Sequence, residues 1–185
     1  MKILVIDNGT SYLPQLKNLL SGHDICVINY SEISATDINS FNLIILSGGH
    51  KFSVKGSDEQ LNQEMELVKN SSKPIFGICF GFEVIAYTFG AKLKLMESKE
   101  LGVIDIRVVE SDKIFSNISN FQVFESHRWI IEESVSDLTV LARSKDGIEA
   151  IKHKNRPIYG VQFHPEMFVE KTCGDELFSN FLKTI

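Results

Sequence analysis

One cysteine of this 185-residue chain lies between two glycines, in the segment Gly77-Ile78-Cys79-Phe80-Gly81. An apolar run precedes this segment and a helical pattern follows it, which predicts a buried strand, a tight turn and a helix. Small flanking residues let strand and helix approach closely and leave the turn side chain above the sheet. A thiol there would sit at a helix N-terminus, where the dipole favours the thiolate. Cys79 is therefore a candidate nucleophile, against the alternative of an ordinary buried core cysteine.

A candidate partner for the thiol lies in the segment Tyr159–Glu166, at the end of another predicted strand. His164 could accept the thiol proton, while Glu166 could bond the far imidazole nitrogen and so set the tautomer. Pro165 restrains the backbone between them. The alternative is a strand-end histidine beside a surface glutamate, which is the commoner fate of these residue types. His127 is a weaker candidate for the base.

A third segment, Ser47-Gly48-Gly49, follows an apolar run. Glycines after a strand allow backbone N–H groups to face a ligand, although a plain turn would show the same pattern. Ligand sites in parallel sheets gather at the carboxyl ends of the strands. Because this turn, Cys79 and His164 all follow predicted strands, we expect them to converge at one edge of the sheet.

The elements that must position these groups follow from the hydrophobic pattern. In the first half, strand-like runs alternate with helical segments, which predicts βαβ units and a mostly parallel sheet. The second half consists of closely spaced strand candidates, several of which we expect to pair antiparallel. The predicted strands are 2–7, 25–29, 42–49, 73–79, 91–96, 102–109, 121–126, 138–144, 147–154 and 157–164, and the predicted helices are about 13–20, 58–70, 80–90 and 173–183.

Composition and charge exclude several classes of function. Hydrophobic residues make up 43% and charged residues 23%, values that suit one folded domain. A net charge of −5 predicts no nucleic-acid or anionic-membrane partner, and no apolar run is long enough to span a bilayer. The first residues predict a strand and not a signal peptide. Cys26, Cys79 and Cys173 have no framework spacing, which predicts free thiols in a reducing cytoplasm, with no zinc site and no other metal.

Three segments, in this order and spacing, resemble the class I glutamine amidotransferase domain: Ile45–Gly49 (ILSGG), Gly77–Gly81 (GICFG) and Gly160–Glu166 (GVQFHPE). The resemblance covers nearly the whole chain, so it implies a single domain over residues 1–185. The LSGG motif and the length are most similar to the separate glutaminase subunits of archaeal GMP synthases. The implied fold is α/β: a flavodoxin-like, mostly parallel sheet with helices on both faces, and an antiparallel strand-rich extension in the second half.

The resemblance also implies chemical roles. Cys79 would be the nucleophile that forms a γ-glutamyl thioester, His164 the base and then the acid, and Glu166 the group that orients His164. The N–H groups of Gly49 and Phe80 would form the oxyanion hole. The substrate would be glutamine or another γ-glutamyl compound, and ammonia would pass to a separate ATP-using synthetase subunit in purine biosynthesis. No cofactor is implied, and the chain has no Gly-rich phosphate loop.

The same resemblance places Gly48, Glu83, Ser126, His127 and Trp129 around the substrate, and two of these residues depart from the family pattern. Glu83 stands where the family has Gln in G-x-C-x-G-x-Q. A carboxylate donates no hydrogen bond unless it is protonated, and it would repel the substrate α-carboxylate. Trp129 stands where Ser-His-x-Asp has the acid that holds the substrate α-ammonium.

These departures leave three hypotheses open. Glu83, or the face of Trp129 through a cation–π contact, could hold the ammonium of glutamine. The pocket could instead take another γ-glutamyl compound, which would make the chain a stand-alone γ-glutamyl hydrolase or peptidase. A third hypothesis is a non-catalytic binding protein with an altered pocket. The simplest structural alternatives are a packing aromatic for Trp129 and a solvated first-turn acid for Glu83.

Overall fold

A computed structural model describes residues 1–116 and 118–185 of the chain. Its strands are β1 Lys2–Asp7, β2 Asp24–Asn29, β3 Leu43–Leu46, β4 Ile75–Ile78, β5 Leu93–Val108, β6 Asn120–Ile131, β7 Leu138–Arg143, β8 Ile148–His153 and β9 Ile158–Val161. Its α-helices are α1 Leu13–Leu19, α2 Asp58–Asn70, α3 Phe80–Thr88 and α4 Gly174–Leu182. Three short 3-10 helices, which the sequence pattern does not predict, cover Tyr30–Ala35, Ile38–Ser40 and Lys113–Phe115.

The strands form one mixed sheet in the order β2-β1-β3-β4-β9-β8-β7-β5-β6. The parallel half of the sheet consists of β2, β1, β3, β4 and β9. The remaining pairs, β9–β8, β8–β7, β7–β5 and β5–β6, are antiparallel. Helices α1 and α2 connect successive parallel strands, as βαβ crossovers require, whereas α3 leads into β5 and α4 follows β9. The predicted fold class, a parallel sheet with an antiparallel extension, is therefore confirmed.

One strand prediction was wrong in detail. The two predicted strands 91–96 and 102–109 are a single 16-residue strand, β5, which pairs with β6. The pairing register shifts between Leu95 and Glu100, so the intervening residues form an irregularity instead of a turn. Such a bulge bends a strand without ending it, and a hydrophobic pattern interrupted for a few residues does not distinguish the two cases.

The core has two layers, one on each face of the parallel strands. Alternate residues of β1 point to opposite faces: Ile3 and Val5 pack with α1 and α4, whereas Leu4 and Ile6 pack with α2 and α3. Both faces are covered, so these strands are nearly continuous apolar runs. In the described residues no helix has both the length and the apolar character needed to cross a membrane.

The antiparallel half of the sheet curls back toward the parallel half. The His164 N–H donates to the carbonyl of Phe124 at 2.9 Å, and the Cys173 N–H donates to the carbonyl of Gln122 at 2.9 Å. Both acceptors belong to β6, although β6 is an edge strand and three other strands separate it from β9 in pairing order. The curl therefore brings the Ser126–Trp129 part of β6 over the carboxyl ends of β4 and β9.

Candidate active site

A cleft of about 420 Å³ opens at the carboxyl ends of β3 and β4, facing β6. It gathers most of the residues singled out by sequence: Gly49, Cys79, Phe80, Glu83, Ser126, His127, Trp129 and His164. Gly48 and Glu166 lie behind His164. Convergence of the three motifs follows from the parallel topology, which places successive strand ends at one edge.

Cys79 occupies a strained turn between β4 and α3. Its φ is +49°, a left-handed value that few residues other than glycine adopt. A Cβ on Gly77 would lie 2.6 Å from the carbonyl carbon of Gly81, and a Cβ on Gly81 would collide with the carbonyl oxygen of Leu46. Only glycine fits at either position, so strand and helix can touch while the turn side chain projects into the cleft. The predicted strand–turn–helix at Cys79 is confirmed.

The Cys79 side chain is 4% exposed and has two weak polar neighbours. The Gln162 Nε2–H donates toward its Sγ at 3.8 Å, and the thiol points to the Ser126 carbonyl oxygen at 4.0 Å. Gln162 lies two residues before His164, in the same motif, yet sequence reasoning assigned it no role.

Electrostatics oppose the thiolate that the helix N-terminus was expected to favour. Burial raises the pKa of Cys79 well above its usual range, and the carboxyl groups of Glu83, Glu125 and Glu166 raise it further when they are ionised. The N–H of Phe80 lowers this pKa, but less strongly than the other groups raise it. The thiol is therefore protonated at neutral pH in the free protein, and a base must remove its proton before it can attack.

The imidazole of His164 is oriented by a carboxylate partner. Its Nδ1 lies 2.9 Å from Oε1 of Glu166, and both side chains are buried. A carboxylate can only accept, so Nδ1 carries the hydrogen and Nε2 keeps its lone pair. The ring of Tyr12 packs edge-on against the imidazole with centroids 4.8 Å apart. The arrangement can therefore accept one proton at Nε2 while Glu166 stabilises the imidazolium.

The glycine turn packs directly beneath His164. A Cβ on Gly48 would lie 2.9 Å from Cε1 of His164, and a Cβ on Gly49 would lie 2.6 Å from the carbonyl oxygen of Asn8. Both positions therefore need glycine for close packing. Gly49 lines the cleft beside Phe80, whose N–H faces the Cys79 thiol. That their N–H groups form an oxyanion hole stays a prediction, as does substrate contact by Gly48.

Glu83 is buried, not a solvated helix acid as one alternative supposed. It is 4% exposed, and Gln162 Nε2–H donates to its Oε1 at 3.4 Å. Burial raises the pKa of Glu83 to about 8, although the bond from Gln162 lowers it in part. At neutral pH Glu83 is therefore a neutral carboxylic acid with one O–H donor, the property that the charged form lacks.

His127 lines the same cleft but its ring nitrogens face the protein. Nδ1 donates to the carbonyl oxygen of Trp129 at 3.0 Å, and Nε2 lies 3.4 Å from Oε2 of Glu125. Burial lowers the pKa of His127 to about 4, so the ring is neutral. One atom each of Glu125, His127 and Glu149 lies within 4.8 Å of the other two, so these three residues could hold a metal ion.

Two further residues of the cleft carried no signal in the sequence. Tyr12 contacts His164 and donates its hydroxyl to Oγ of Ser126 at 3.4 Å. Lys99 brings a positive charge to the exposed rim. Tyr12 follows β1, whose carboxyl end lies at the same edge of the parallel sheet, whereas Lys99 belongs to β5 and reaches the site through the curl of the sheet. Trp129 is half-buried: it packs against one layer of the core and also lines the cleft, so its substrate contact stays a prediction.

Comparisons with known proteins agree on one family. The sequence profile of the family described as "Glutamine amidotransferase class-I" matches residues 4–185. The glutamine-hydrolyzing GMP synthase subunit of Pyrococcus abyssi is 35% identical over 98% of this chain and 97% of its own length. The protein of the same name from Methanococcus vannielii is 34% identical over 98% and 95%. A crystal structure assigned to a GMP synthase subunit of Thermoplasma acidophilum superposes with a TM-score of 0.87, at 31% identity over 99% of this chain and 92% of that one.

Proposed function

The chain belongs to the class I glutamine amidotransferase family, and we propose that it is a glutaminase that releases ammonia through a thioester on Cys79. The observation that carries the proposal is the 2.9 Å hydrogen bond between His164 and Glu166 in the cleft that also holds the Cys79 elbow. A nucleophile, a base and a group that orients the base are the parts needed for covalent amide hydrolysis.

In the first half-reaction His164 Nε2 takes the proton from Sγ of Cys79, and Sγ bonds to the amide carbon of glutamine. The carbonyl electron pair moves onto oxygen, where the N–H groups of Gly49 and Phe80 donate hydrogen bonds to it. His164 then gives its proton to the amide nitrogen. The carbon–nitrogen bond breaks, ammonia leaves and a γ-glutamyl thioester remains on Cys79.

In the second half-reaction water attacks the thioester carbon while His164 takes a proton from it. The carbon–sulfur bond breaks, the thiolate recovers that proton, and glutamate leaves. Because its pKa is raised, the resting thiol of Cys79 is a poor nucleophile until His164 removes its proton. Glu166 supports both steps by stabilising the imidazolium that forms twice in each cycle.

The cleft offers complementary groups for glutamine. Neutral Glu83 supplies one donor and one acceptor, as does the amide of the Gln found at this position in the family. Lys99 at the rim supplies a positive charge for the α-carboxylate, and the face of Trp129 is available to the α-ammonium. In this scheme the two departures from the family pattern change how glutamine is held, while the bond-breaking groups are unchanged.

The partner proposed is the separate ATP-using subunit of a GMP synthase. The support is the name shared by the relatives from Pyrococcus abyssi and Methanococcus vannielii, together with their nearly full-length match. Ammonia produced at Cys79 would pass to that subunit, which would use it to make GMP.

The catalytic proposal is tested by incubating the chain with a glutamine-shaped electrophile and locating the added mass. We expect one adduct, on Cys79, together with loss of glutamine turnover in Cys79→Ala. The matched controls are Cys26→Ala and Cys173→Ala, which remove the other two thiols and should retain labelling and turnover. An unlabelled Cys79, or turnover that persists in Cys79→Ala, would reject the mechanism. Since this chain could need its partner for activity, labelling and turnover are measured with and without it.

The partner is tested separately, by mixing the chain with the ATP-using GMP synthase subunit of Pyrococcus abyssi. Glutamine-dependent GMP formation that requires Cys79 supports the assignment. GMP formation with added ammonia but none with glutamine, from a chain that still hydrolyses glutamine, rejects this acceptor and leaves the glutaminase intact.

A second candidate is a stand-alone γ-glutamyl hydrolase on the same scaffold. The observation that favours it is the presence of Glu83 and Trp129 in the cleft, where the family has a different pair. Without any partner present, kcat/KM for a γ-glutamyl dipeptide is compared with kcat/KM for glutamine. A clear excess for the dipeptide would favour this function over the first.

A further inference from the structure

A second group of polar side chains is buried behind the β6 wall of the cleft. Glu125 and His127 are two residues apart on β6, so their side chains share a face of the strand. Glu149 reaches the same place from β8, which the curl of the sheet brings opposite β6. One potential ligand atom from each residue lies within 4.8 Å of the other two, and all three residues are buried. This group is called the Glu125–His127–Glu149 cluster.

The atoms that face one another in this cluster are acceptors without donors. Among the described residues, no N–H or O–H group of another residue donates to Glu125, to Oε2 of Glu149 or to Nε2 of His127, although Glu125 and Glu149 can hydrogen-bond each other when one of them is protonated. The side chain of Glu125 is 0% exposed and that of His127 is 1% exposed, so bulk water does not solvate them. Buried polar groups without partners are rare and costly, and each one requires an explanation.

The orientation of His127 places a lone pair opposite an oxygen of Glu125. Its Nδ1 donates to the carbonyl of Trp129, so the neutral ring has a lone pair at Nε2. That lone pair lies 3.4 Å from Oε2 of Glu125, which also carries lone pairs. Two acceptors at this separation repel each other unless a positive group lies between them.

We propose that the Glu125–His127–Glu149 cluster binds a divalent first-row transition cation through one atom of each residue. Two carboxylates and a neutral imidazole carry a charge that balances a divalent ion. Imidazole with carboxylate is a ligand set that suits zinc and manganese better than calcium or magnesium. The cysteine pattern predicted no zinc site, but this cluster contains no cysteine.

The groups around the cluster are arranged as outer-shell partners usually are. The carbonyl of Trp129 fixes the ring of His127, and Oγ of Ser144 donates to Oε1 of Glu149 at 2.6 Å. Such bonds orient ligands and set the histidine tautomer. Glu100 and Asp146 add negative charge near Glu125, which is offset in part by Lys145, whose Nζ lies 3.8 Å from a carboxylate oxygen of each. The ion would tie β6 to β8 behind the cleft wall without touching Cys79.

Protons are the competing occupant. A single proton shared by Glu125 and Glu149 would still leave Nε2 of His127 facing an oxygen. Two protons, one on each carboxyl group, would satisfy all of the contacts and would leave no room for a metal. A cluster that holds a metal ion and a cluster with two protonated carboxyl groups differ in metal content. Metal content can be measured whether or not the chain is a glutaminase.

The test uses the full chain, unfolded with a chelator, refolded with excess Zn²⁺, desalted, and assayed for metal by mass spectrometry. Refolding is needed because the ligands are buried. We expect about one bound ion per chain in the wild type and in the control Glu133→Gln, which changes an exposed glutamate just after β6. In Glu125→Gln and Glu149→Gln the affinity should fall at least about tenfold, the least that loss of even an outer-shell group typically costs.

Two further measurements keep the outcome decisive. Glu149→Asp retains a carboxylate and should still bind, so a folded Glu149→Asp protein with metal covers the case in which the Gln variants fail to fold. Refolding with Co²⁺ should give a spectrum without a sulfur-to-cobalt charge-transfer band. A wild type that holds no metal, metal that persists in both Gln variants, or a sulfur band that appears with Co²⁺ would overturn the proposal.

Discussion

Two histidines face the same cleft, and their surroundings assign them to different chemistry. His164, after β9, has its Nδ1 on the carboxylate of Glu166, and its Nε2 is left for the cleft. His127, on β6, has its Nδ1 on a backbone carbonyl, and its Nε2 faces buried Glu125. A carboxylate behind the ring stabilises the imidazolium, whereas a carbonyl fixes the tautomer without adding charge. The partner of the far nitrogen, more than the position of the ring, therefore decides whether a histidine suits proton transfer or cation binding.

The largest expected effect separates the two histidines directly. His164→Gln should lower kcat for glutamine by at least about 1,000-fold, because the base and acid of both half-reactions is lost. His127→Gln should change kcat by less than about tenfold, because its side chain takes no proton in the cycle. Steady-state ammonia release with the partner present measures both. Comparable losses in the two variants would remove the distinction between the two rings.

Two of the buried glutamates, Glu166 beside His164 and Glu149 in the Glu125–His127–Glu149 cluster, provide the next test. Glu166→Gln should reduce kcat about 100-fold or more, since an amide can still accept from Nδ1 of His164 but cannot stabilise the imidazolium. Glu149→Gln removes a carboxylate from the Glu125–His127–Glu149 cluster and should leave kcat within about tenfold of the wild type. Circular dichroism controls for folding. A Glu166→Gln enzyme as active as Glu149→Gln would show that the carboxylate behind His164 is dispensable.

Stability should depend on Glu83 in a defined pH window. The pKa of Glu83 is about 8 in the folded chain and 4.5 ordinarily, so between these values the unfolded state releases the proton first. Rising pH therefore lowers the free energy of unfolding across that window. Glu83→Gln should be more stable than the wild type at pH 7, by on the order of 1–3 kcal/mol, and the gain should vanish below pH 4.5. Urea unfolding measures the difference, with exposed Glu97→Gln as the control, for which we expect no such gain.

The KM for glutamine should also depend on the protonation state of Glu83. Below pH 8 the Glu83 hydroxyl can donate to the substrate, and above it the carboxylate would repel the substrate α-carboxylate. KM should rise about tenfold in the wild type from pH 7 to pH 9 beyond any rise in Glu83→Gln, which keeps a donor at all pH values. The variant retains Cys79, His164 and Lys99, so a rise in KM that is common to both proteins is subtracted in the comparison. A KM that improves as Glu83 ionises would instead favour a carboxylate that holds the α-ammonium.

The smallest expected effect concerns the β6 side of the cleft. If the face of Trp129 holds the α-ammonium, Trp129→Leu should raise KM about two- to fivefold, whereas Trp129→Phe should change it little. Trp129→Asp restores the acid of the family pattern and should match or improve on the wild-type KM. All three variants keep the backbone carbonyl that accepts from His127. An unchanged KM in Trp129→Leu would make Trp129 a packing residue.

Local patterns were sufficient for most of the fold. Helix α2 has the predicted bounds 58–70, because Leu61, Met65 and Val68 recur at helical spacing between polar residues. Strands β1 and β4 were equally predictable from sequence, since parallel strands covered on both faces are short apolar runs. The register irregularity in β5 and the 3-10 helices could not be foreseen, because neither changes the hydrophobic period in a recognisable way.

The reactive groups of the chain can be recognised from local sequence alone. The glycines around Cys79, the His164-Pro165-Glu166 run and the Ser47–Gly49 turn are local, and parallel strands bring their ends together whatever the details of packing. Tertiary structure alone decided that Glu83 is buried and neutral, and that Glu125, His127 and Glu149 face one another. A pKa depends on burial and on charges from other segments, and the cluster joins β6 to β8 across the curl of the sheet. No spacing along the chain encodes either property.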